Sequence, residues 1–469
     1  MGRSPRRCSE VGSGNRGILT VNPLIAGRTH LSQDVGSLAG VDGSALAEVR
    51  LAPRLLARLA LNEVRASADG VAPGAELFVR AADAFEHGDV LGESPRHYLE
   101  RVALAAGLPI SVARAGLRDI AGSMRDIRRI NERDFPAATV VPGGRVELTP
   151  AGRVFASVVA MGKHQEPNEV WLRALSLGYS VLVRPGLRDP FTARRLAGAL
   201  LGAGMPKHKV TLLPGDEGMA RMLVREADRS VMFGPEEKVS SWRALRNVQV
   251  HGDGRSKVFI DHEPSAGELE FLAESVAGKA GVRCDCASVI LTTGDPAALA
   301  DSLAELLAER RAEVVTSDAA QVPVVPARAA ERLRVRYAEL GAGMTDHSSP
   351  GYGGGPLLEL PDGSFAVRPV VLSTSDPSHP AVGTEMDYPF VTVARWRPVD
   401  GVVPLTRSLF LTFLAEDEGL LAAAAADPTV GEVIAGAAPP WARHFWLPEP
   451  PLTRLLMAEK RILTFEAPA

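Results

Sequence analysis

Short apolar runs alternate with helix-like segments between residues 154 and 251, and this alternation constrains the fold more than any other feature. The segments between the runs carry apolar residues at three- and four-residue spacing, which is typical of amphipathic helices. The alternation predicts a mixed α/β fold with a parallel, doubly wound sheet, which binds ligands at the carboxyl ends of its strands. The five predicted strands are residues 154–161, 180–184, 210–213, 230–233 and 248–251.

The flanking regions predict further units. Residues 1–20 look like a loose tail, and the rest of the first 135 residues looks largely helical, beginning with an amphipathic helix at 45–65. Residues 139–148 predict a hairpin, with Pro142, Gly143 and Gly144 in its turn. We therefore expect a first part over residues 21–257, a second α/β part over 258–438 and a C-terminal tail over 439–469.

Composition narrows the class of protein. The chain has 469 residues, too many for a single hydrophobic core, and a formal net charge of −4, which gives no support for a nucleic-acid or membrane-surface role. Three cysteines exclude a disulfide framework and favour a reducing compartment, so we expect a cytoplasmic protein. No apolar run approaches the roughly 20 residues that span a bilayer, and the charged N-terminus is not followed by a signal-like segment. We predict no metal site.

Two cysteines, Cys284 and Cys286, lie in a turn of small residues directly before the apolar run 289–291. A thiol at the mouth of a buried strand is held by rigid backbone and can still face a cleft, as a nucleophile must. The alternative is that both cysteines simply pack in the core, as free cysteines often do.

Five motifs in order resemble the aldehyde dehydrogenase superfamily over residues 45–465. Gly281-Val-Arg-Cys284 resembles the family's Gly-Gln-x-Cys nucleophile turn, which selects Cys284 over Cys286. The other four resemble its Gly-Asn-x-Val-Val-x-Lys-Pro strand, Val-Pro-Gly turn, Thr-Gly-Ser nucleotide turn and Glu-x-Phe-Gly-Pro element. They lie at residues 178–185, 213–216, 233–235 and 385–390.

The resemblance implies a Rossmann-like cofactor domain, an α/β catalytic domain and a small β oligomerisation element, made of the 139–148 hairpin and the C-terminal strand, in a homodimer or homotetramer. It also implies that NAD or NADP is the cofactor. Arg184 stands where the family has a lysine that meets the adenosine ribose, and because arginine binds phosphate well we favour NADP, with a ribose contact to NAD as the alternative. The residues implied for cofactor binding are Arg184, Pro185, Pro214, Gly215, Phe233, Gly234, Pro235, Gly252 and Glu385.

The chain departs from the family pattern at two places. Residues 251–255 are His-Gly-Asp-Gly-Arg where the family has Glu-Leu-Gly-Gly-Lys. The general base is therefore either missing or replaced by His251. The alternative for His251 is a purely structural role. The oxyanion asparagine expected near Met161 is also absent. The backbone N–H of Cys284 remains as a donor, and His164 or Asn168 could replace the asparagine, although we expect Asn168 to cap the following helix.

These departures lead us to expect reduction of an acyl thioester to an aldehyde, with coenzyme A or an acyl carrier protein as the thiol carrier. An acyl-enzyme without a water-activating carboxylate hydrolyses slowly, because a general base is worth roughly 10²–10⁴-fold. Residues 284–290 and 385–390 resemble fatty acyl-CoA reductases, and other parts resemble phenylacetate-degrading aldehyde dehydrogenases. The alternatives are NAD(P)-dependent oxidation of an aldehyde to an acid, and a weakly catalytic assembly or binding subunit. Arg283 could lower the pKa of Cys284, or could point outward.

Overall fold

The structure is a computed structural model that describes residues 17–135, 139–141, 144–162, 164–353, 355–439 and 450–463. Within these residues the strands form two seven-stranded sheets and three three-stranded sheets. The strands are β1 (Leu19–Val21), β2 (Leu24–Ile25), β3 (Arg28–Thr29), β4 (Val35–Ala39), β5 (Ala45–Arg50), β6 (Thr139–Val141), β7 (Gly144–Pro150), β8 (Val154–Val159), β9 (Ser180–Arg184), β10 (Val210–Leu212), β11 (Arg229–Phe233), β12 (Val248–His251), β13 (Ser256–Ile260), β14 (Ala287–Thr292), β15 (Val324–Val325), β16 (Thr345–Asp346), β17 (Leu357–Glu359), β18 (Phe365–Val367), β19 (Val370–Thr374), β20 (Phe390–Arg395), β21 (Ser408–Leu414), β22 (Val430–Ala435) and β23 (Met457–Leu463).

The helices lie mostly between strands and cover the sheets. They are α1 (Arg54–Ser67), α2 (Ala75–His87), α3 (Pro95–Ala106), α4 (Ile110–Arg125), α5 (Ile127–Asp134), α6 (Pro167–Ser176), α7 (Phe191–Gly202), α8 (Glu217–Glu226), α9 (Glu236–Val239), α10 (Ala266–Ala277), α11 (Pro296–Ala308), α12 (Ala327–Leu340), α13 (Ser349–Tyr352), α14 (Glu418–Ala426) and α15 (Pro450–Leu456). No helix of the described part of the chain is long and apolar enough to cross a bilayer.

The first seven-stranded sheet has the order β12-β11-β8-β9-β10-β2-β3. Strands β8 to β12 are all parallel, as predicted, and β2 and β3 add an antiparallel edge. Side chains of β8 and β9 are buried on both faces: Phe155 and Val181 pack into the core that contains α2, α6 and α7, and Val154 and Leu182 pack into the core that contains α1 and α8. Helices on both faces of a parallel sheet confirm the predicted fold class.

The second seven-stranded sheet has the order β16-β19-β20-β14-β13-β21-β22 and is parallel except for β16. Helices α10 and α11 pack on one face, around Ile290 and Leu303. An aromatic cluster of Phe259, Trp396 and Phe413 packs on the other face. The region between α12 and β18 carries the short elements β16, α13 and β17.

The N-terminal region differs from the prediction. The predicted helix at 45–65 is wrong for its first residues, because β5 pairs with both β1 and β4 and the helix begins only after Pro53. Sheet pairing supplies partners that the local apolar spacing does not reveal, and here it overrides the spacing. The helical segment from α4 to α5 is interrupted at Asp126, whose φ of −89° and ψ of 5° lie outside helical geometry.

The predicted hairpin and the C-terminal strand form one small antiparallel sheet. β7 pairs with β6 on one side and with β23 on the other, from Met457 opposite Pro150 to Leu463 opposite Gly144. Residues 142 and 143 of the predicted turn and most of the tail 1–20 lie outside the described residues. The assignment of this sheet to oligomerisation, and the domain boundaries, stay predictions.

Arg195 of α7 is fully buried. Its side chain forms hydrogen bonds both with the end of α2 and with the segment before α3. Its guanidinium donates to the carbonyls of Phe85, Gly88 and Glu93 at 2.8, 2.6 and 2.9 Å. It also lies over the rings of Phe85 and Tyr98. The guanidinium therefore satisfies backbone groups that water cannot reach.

We predict that Arg195→Met lowers the free energy of unfolding by about 3 kcal/mol or more, because three buried carbonyls lose their donor. Urea unfolding followed by circular dichroism measures the loss. The control is Arg128→Met, whose arginine forms an exposed pair with Glu132 and should leave the unfolding midpoint nearly unchanged. Equal losses in the two variants would contradict the role assigned to Arg195.

Candidate active site

The carboxyl ends of β8 to β12 meet the amino ends of β13, β14 and β20 in one region. Residues 252–255 join β12 directly to β13, and an ion pair between Glu166 and Arg283 links the loop after β8 to the turn before β14. Strands β9 and β10 lie on one side of β8, and β11 and β12 on the other. Ligands of open α/β sheets bind at such a switch point, so this region is the candidate active site.

The turn before β14 has an unusual backbone. Lys279, Ala280 and Gly281 have φ angles of 52°, 62° and 64°. This left-handed conformation costs a non-glycine residue roughly 1–2 kcal/mol, so the surrounding structure must hold it in place. A Cβ on Gly281 would lie 2.5 Å from the backbone nitrogen of Pro389. The segment before β20 therefore packs directly on the turn and fixes where its cysteines lie.

The two cysteines of the turn have different surroundings. Cys286 is 6% exposed, and its Sγ donates to the carbonyl of Gly278 at 3.4 Å. Cys284 is partly exposed, whereas residues 280–283 and 285–290 around it are buried. Accessibility therefore favours Cys284 over Cys286 as a nucleophile.

The linker between the two sheets rests on the backbone of Cys284. A Cβ on Gly254 would lie 1.9 Å from the carbonyl oxygen of Cys284, so this contact requires glycine. The same carbonyl accepts a hydrogen bond from Oγ of Ser256 at 2.8 Å. Two residues of the linker and of β13 thus fix the position of the nucleophile.

Arg283 does not point outward; it is 8% exposed and lies in a cluster of acidic groups. Its Nε and Nη2 donate to Asp285 at 2.7 and 2.5 Å, and its Nη1 pairs with Glu166. Burial raises the pKa of the Cys284 thiol well above its usual range, Asp285 and Glu385 raise it further, and Arg283 only partly offsets them. Cys284 is therefore a protonated thiol at neutral pH, and Arg283 alone does not activate it.

His251 lies at the carboxyl end of β12, opposite Phe233. Its ring stacks on that of Phe233 with centroids 4.4 Å apart, and its Nε2 lies 3.0 Å from Nε2 of Gln249. Burial lowers the pKa of His251 to about 4, and Arg243 lowers it further, so the imidazole is neutral and weakly basic. These contacts account for a structural histidine, and its predicted role as a base stays a prediction.

Glu385 faces the linker beside Cys284. Its Oε2 accepts the backbone N–H of Arg255 at 2.7 Å. Burial raises the pKa of Glu385 to about 8, although the N–H groups of Arg255 and Gly254 partly offset this. The carboxyl is thus close to the nucleophile and mostly protonated at neutral pH. A cofactor contact of Glu385 stays a prediction.

Arg184 connects the carboxyl ends of three strands. Its Nη1 donates to the carbonyls of Val159 and Ala160, the latter at 3.1 Å, and its Nε donates to the carbonyl of Gly215 at 3.1 Å. Pro214 is held in turn by the N–H of Ala52 at 2.7 Å. The structure thus brings together one set of predicted cofactor residues, namely Arg184, Pro185, Pro214 and Gly215.

The other predicted cofactor residues surround the turn after β11. Gly234 lies against Ala160, since a Cβ there would be 3.0 Å from the Ala160 methyl, and a Cβ on Gly252 would lie 2.0 Å from Oε2 of Glu236. Phe233, Gly234, Pro235 and Gly252 therefore lie together at the carboxyl ends of β11 and β12. The turn offers few donors to an anion, because Pro235 has no N–H and the N–H of Glu236 donates to Asp253 at 3.3 Å.

The loop after β8 contains Glu166, which the sequence did not single out, and His164, which the sequence suggests only as a substitute for the oxyanion asparagine. Glu166 is bound to Arg283, and the Nδ1 of His164 lies 3.7 Å from Glu166 Oε2. No motif marks Glu166; only the need of a buried arginine for an acidic partner could have suggested it.

Asn168 does not cap the following helix as expected. That helix begins at Pro167, and the amide of Asn168 donates to the carbonyl of Gln165 at 2.7 Å and accepts from Nε1 of Trp171 at 2.9 Å. Because both ends of this amide are occupied, it is a poor candidate for an oxyanion donor.

Comparison with known proteins adds family information. No family model matches the chain. It is 25% identical over 244 residues to hydroxyisobutyraldehyde dehydrogenase of Mycolicibacterium austroafricanum. The aligned region covers 49% of this chain and 47% of that protein. It is 26% identical over 182 residues to malonate-semialdehyde dehydrogenase 1 of Geobacillus thermodenitrificans. This alignment covers 36% of this chain and 37% of that protein. The chain thus spans less than half the length of the curated relatives it matches.

Solved structures match over nearly the whole chain. Indole-3-acetaldehyde dehydrogenase of P. syringae in complex with NAD+ and IAA has a TM-score of 0.79 at 16% identity and covers 94% of this chain and 96% of that one. A putative methylmalonate-semialdehyde dehydrogenase of Sinorhizobium meliloti complexed with NAD has a TM-score of 0.77 at 18% identity and covers 97% and 99%. The chain is therefore similar in fold to these dehydrogenases, and similar in sequence, over part of its length, to proteins named as aldehyde and semialdehyde dehydrogenases.

Proposed function

We propose that the chain is an NAD(P)-dependent dehydrogenase that oxidises an aldehyde through Cys284. The observation that carries the proposal is that Cys284 is partly exposed between the buried residues 280–283 and 285–290, at the point where the ends of two parallel sheets meet. The relatives named above are aldehyde dehydrogenases. Their names favour aldehyde oxidation over the thioester reduction that we expected from the sequence.

The chemistry assigned to Cys284 is nucleophilic. Its Sγ forms a bond to the aldehyde carbon, and the backbone N–H of Cys284 is the proposed donor to the resulting oxyanion. The cofactor, when bound, supplies the hydride acceptor. Water then attacks the thioester on Cys284, the C–S bond breaks, and the acid leaves.

The strand order at the switch point supports a dinucleotide site there, because open parallel sheets bind such ligands at this place. Arg184, Pro185, Pro214 and Gly215 would hold the adenosine end, Phe233, Gly234, Pro235 and Gly252 would border the phosphates, and Glu385 would lie at the nicotinamide end. The expectation of NADP required a guanidinium available for a 2′-phosphate. Since Nε and Nη1 of Arg184 bind backbone carbonyls, we no longer favour NADP over NAD.

Reduction of an acyl thioester, bound to coenzyme A or a carrier protein, is the second candidate. His251 supports it, because a neutral imidazole stacked on Phe233 replaces the carboxylate that would activate water. An assay of aldehyde oxidation with and without coenzyme A, together with acyl-CoA reduction, separates the two. A strict requirement for coenzyme A would favour the second candidate.

A homo-oligomer is also part of the proposal. The sheet of β6, β7 and β23 exposes Val140 and Leu463, which are 83% and 56% accessible. A small sheet with exposed apolar side chains is marginal alone, so a second copy is its natural partner.

We predict that Cys284→Ala lowers kcat/KM for aldehyde oxidation by at least about 10³-fold, because the covalent route is lost. The production of NADH or NADPH over an aldehyde panel measures this loss. Cys286→Ala is the matched control and should keep most of the activity, since Cys286 is buried and its Sγ donates to the carbonyl of Gly278. A wild-type chain that oxidises no aldehyde and reduces no thioester would support the assembly or binding subunit instead.

We predict that Glu236→Gln tightens NADH binding about two- to fivefold, because a negative charge leaves the turn proposed to border the phosphates. Titration of tryptophan fluorescence with NADH measures the affinity. Glu132→Gln removes an acid from an exposed ion pair elsewhere and should not change the affinity. Unchanged binding by Glu236→Gln would place the phosphates away from this turn.

A further inference from the structure

We propose that Glu385 is a positioning residue for Cys284, because its carboxyl group holds the linker between β12 and β13 against the backbone of the nucleophile. The inference rests on the proposed function, since it concerns how the nucleophile named there is held in place. The role is complete before any cofactor binds, and it is therefore separate from the cofactor contact proposed above.

The linker has an unusual backbone where it meets β13. Arg255 has a φ of 49°, in the left-handed region that is strained for a residue with a side chain. The pairing of β13 with β14 is also irregular here, because its register shifts between Ser256 and Lys257. Contacts from outside the linker must therefore hold this conformation in place.

Glu385 supplies such a contact from the segment between β19 and β20. Its Oε2 accepts the N–H of Arg255 at 2.7 Å, and the N–H of Gly254 also donates to this carboxyl group. Two successive backbone N–H groups that point to one acidic group resemble the nests that bind anions in proteins. The side chain of Glu385 thus fixes the N–H groups of the linker.

The carbonyl groups of the linker are held by β21. The N–H of Leu409 donates to the carbonyl of Gly254 at 2.7 Å, and Oγ of Ser408 donates to the carbonyl of Arg255 at 3.2 Å. Strand β21 lies beside β13 in the second large sheet and is part of its regular pairing. The carbonyl groups therefore depend on the sheet, whereas the N–H groups depend on one side chain, that of Glu385.

The linker passes this constraint to Cys284 by direct contact. A Cβ on Gly254 would lie 1.9 Å from the carbonyl oxygen of Cys284 and 2.9 Å from its Cβ, so the two backbones touch. The segment that carries Glu385 also reaches the cysteine turn at Pro389, whose nitrogen would lie 2.5 Å from a Cβ on Gly281. This segment therefore constrains the turn both directly and through the linker.

The protonation state of Glu385 decides which substitution imitates it. Burial raises the pKa of Glu385 to about 8, and Asp253 and Asp387 raise it further, so the carboxyl is mostly neutral at pH 7. A neutral carboxyl and a carboxamide both offer a carbonyl oxygen to an N–H donor, whereas a methionine of similar length offers no comparable acceptor. Glutamine should therefore replace Glu385 at pH 7, and methionine should not.

Glu385→Met tests the positioning role by two measurements at pH 7. The kcat of aldehyde oxidation should fall about tenfold or more, because the sulfur no longer lies in the geometry of attack. Alkylation of Cys284 by iodoacetamide without cofactor, followed by mass spectrometry, should become about threefold or more faster. The reason is that a loosened turn exposes the buried thiol to water, where it ionises more readily.

Glu385→Gln is the matched control, since it is as uncharged as Glu385→Met but keeps the acceptor. It should stay within about threefold of the wild type in both measurements. Cys286 is the internal control in every sample, because it is buried, its Sγ donates to the carbonyl of Gly278, and it should remain unlabelled.

Labelling of Cys286 in Glu385→Met would show that the fold has loosened as a whole, and Glu385→Asp then decides. Its carboxyl is one methylene short of the linker. Faster labelling of Cys284 with Cys286 still protected would support the proposal, and wild-type labelling of Cys284 would overturn it.

The proposal is also overturned if Glu385→Met keeps the wild-type alkylation rate and only binds NADH more weakly, as expected of a residue that contacts the cofactor alone. An equal effect of Glu385→Gln and Glu385→Met would overturn it as well, because the acceptor would then be irrelevant. Failure of the proposed function gives a different pattern. A wild type that oxidises no aldehyde, but whose Cys284 is freed by Glu385→Met and not by Glu385→Gln, would leave Glu385 as the positioning residue of a cysteine used in other chemistry.

Discussion

The ion pairs of Arg283 are the contacts on which the site most depends. A buried guanidinium is costly without partners, and here Asp285 and Glu166 both supply carboxylates. Asp285 belongs to the same turn as the arginine, whereas Glu166 comes from the loop after β8. The pairing therefore does more than neutralise a charge: it connects the two large sheets within one residue of Cys284. Because Glu166 also faces His164, this contact sets the surroundings of the nucleophile from both sides.

Burial has the same kind of effect on each titratable group around the sulfur. It raises the pKa values of Cys284 and Glu385 and lowers those of His164 and His251, so each of these groups is favoured in its neutral form. In the resting site the thiol of Cys284 and these three titratable groups are therefore uncharged. Charge develops there only when a substrate arrives, where the backbone N–H groups of the turn can stabilise it.

The parallel sheet could be predicted from the sequence because its strands are short apolar runs separated by regular helices. The strands 180–184 and 248–251 are found with the predicted boundaries. β5 could not be predicted, since its strand character comes from pairing with β1 and β4 rather than from its own spacing. The same limit applies to the site. Cys284 is marked by its turn, but Glu166 becomes a site residue only because the fold brings the end of β8 to the start of β14.

The contact between Gly254 and the Cys284 carbonyl has a mechanical consequence. The short connection from β12 to β13 crosses directly beside the nucleophile, with no side chain between them. Any side chain at residue 254 would push the linker away from the carbonyl of Cys284, because its Cβ would lie 1.9 Å from that oxygen. A substitution in the linker can therefore displace the reactive cysteine without changing any polar group of the site.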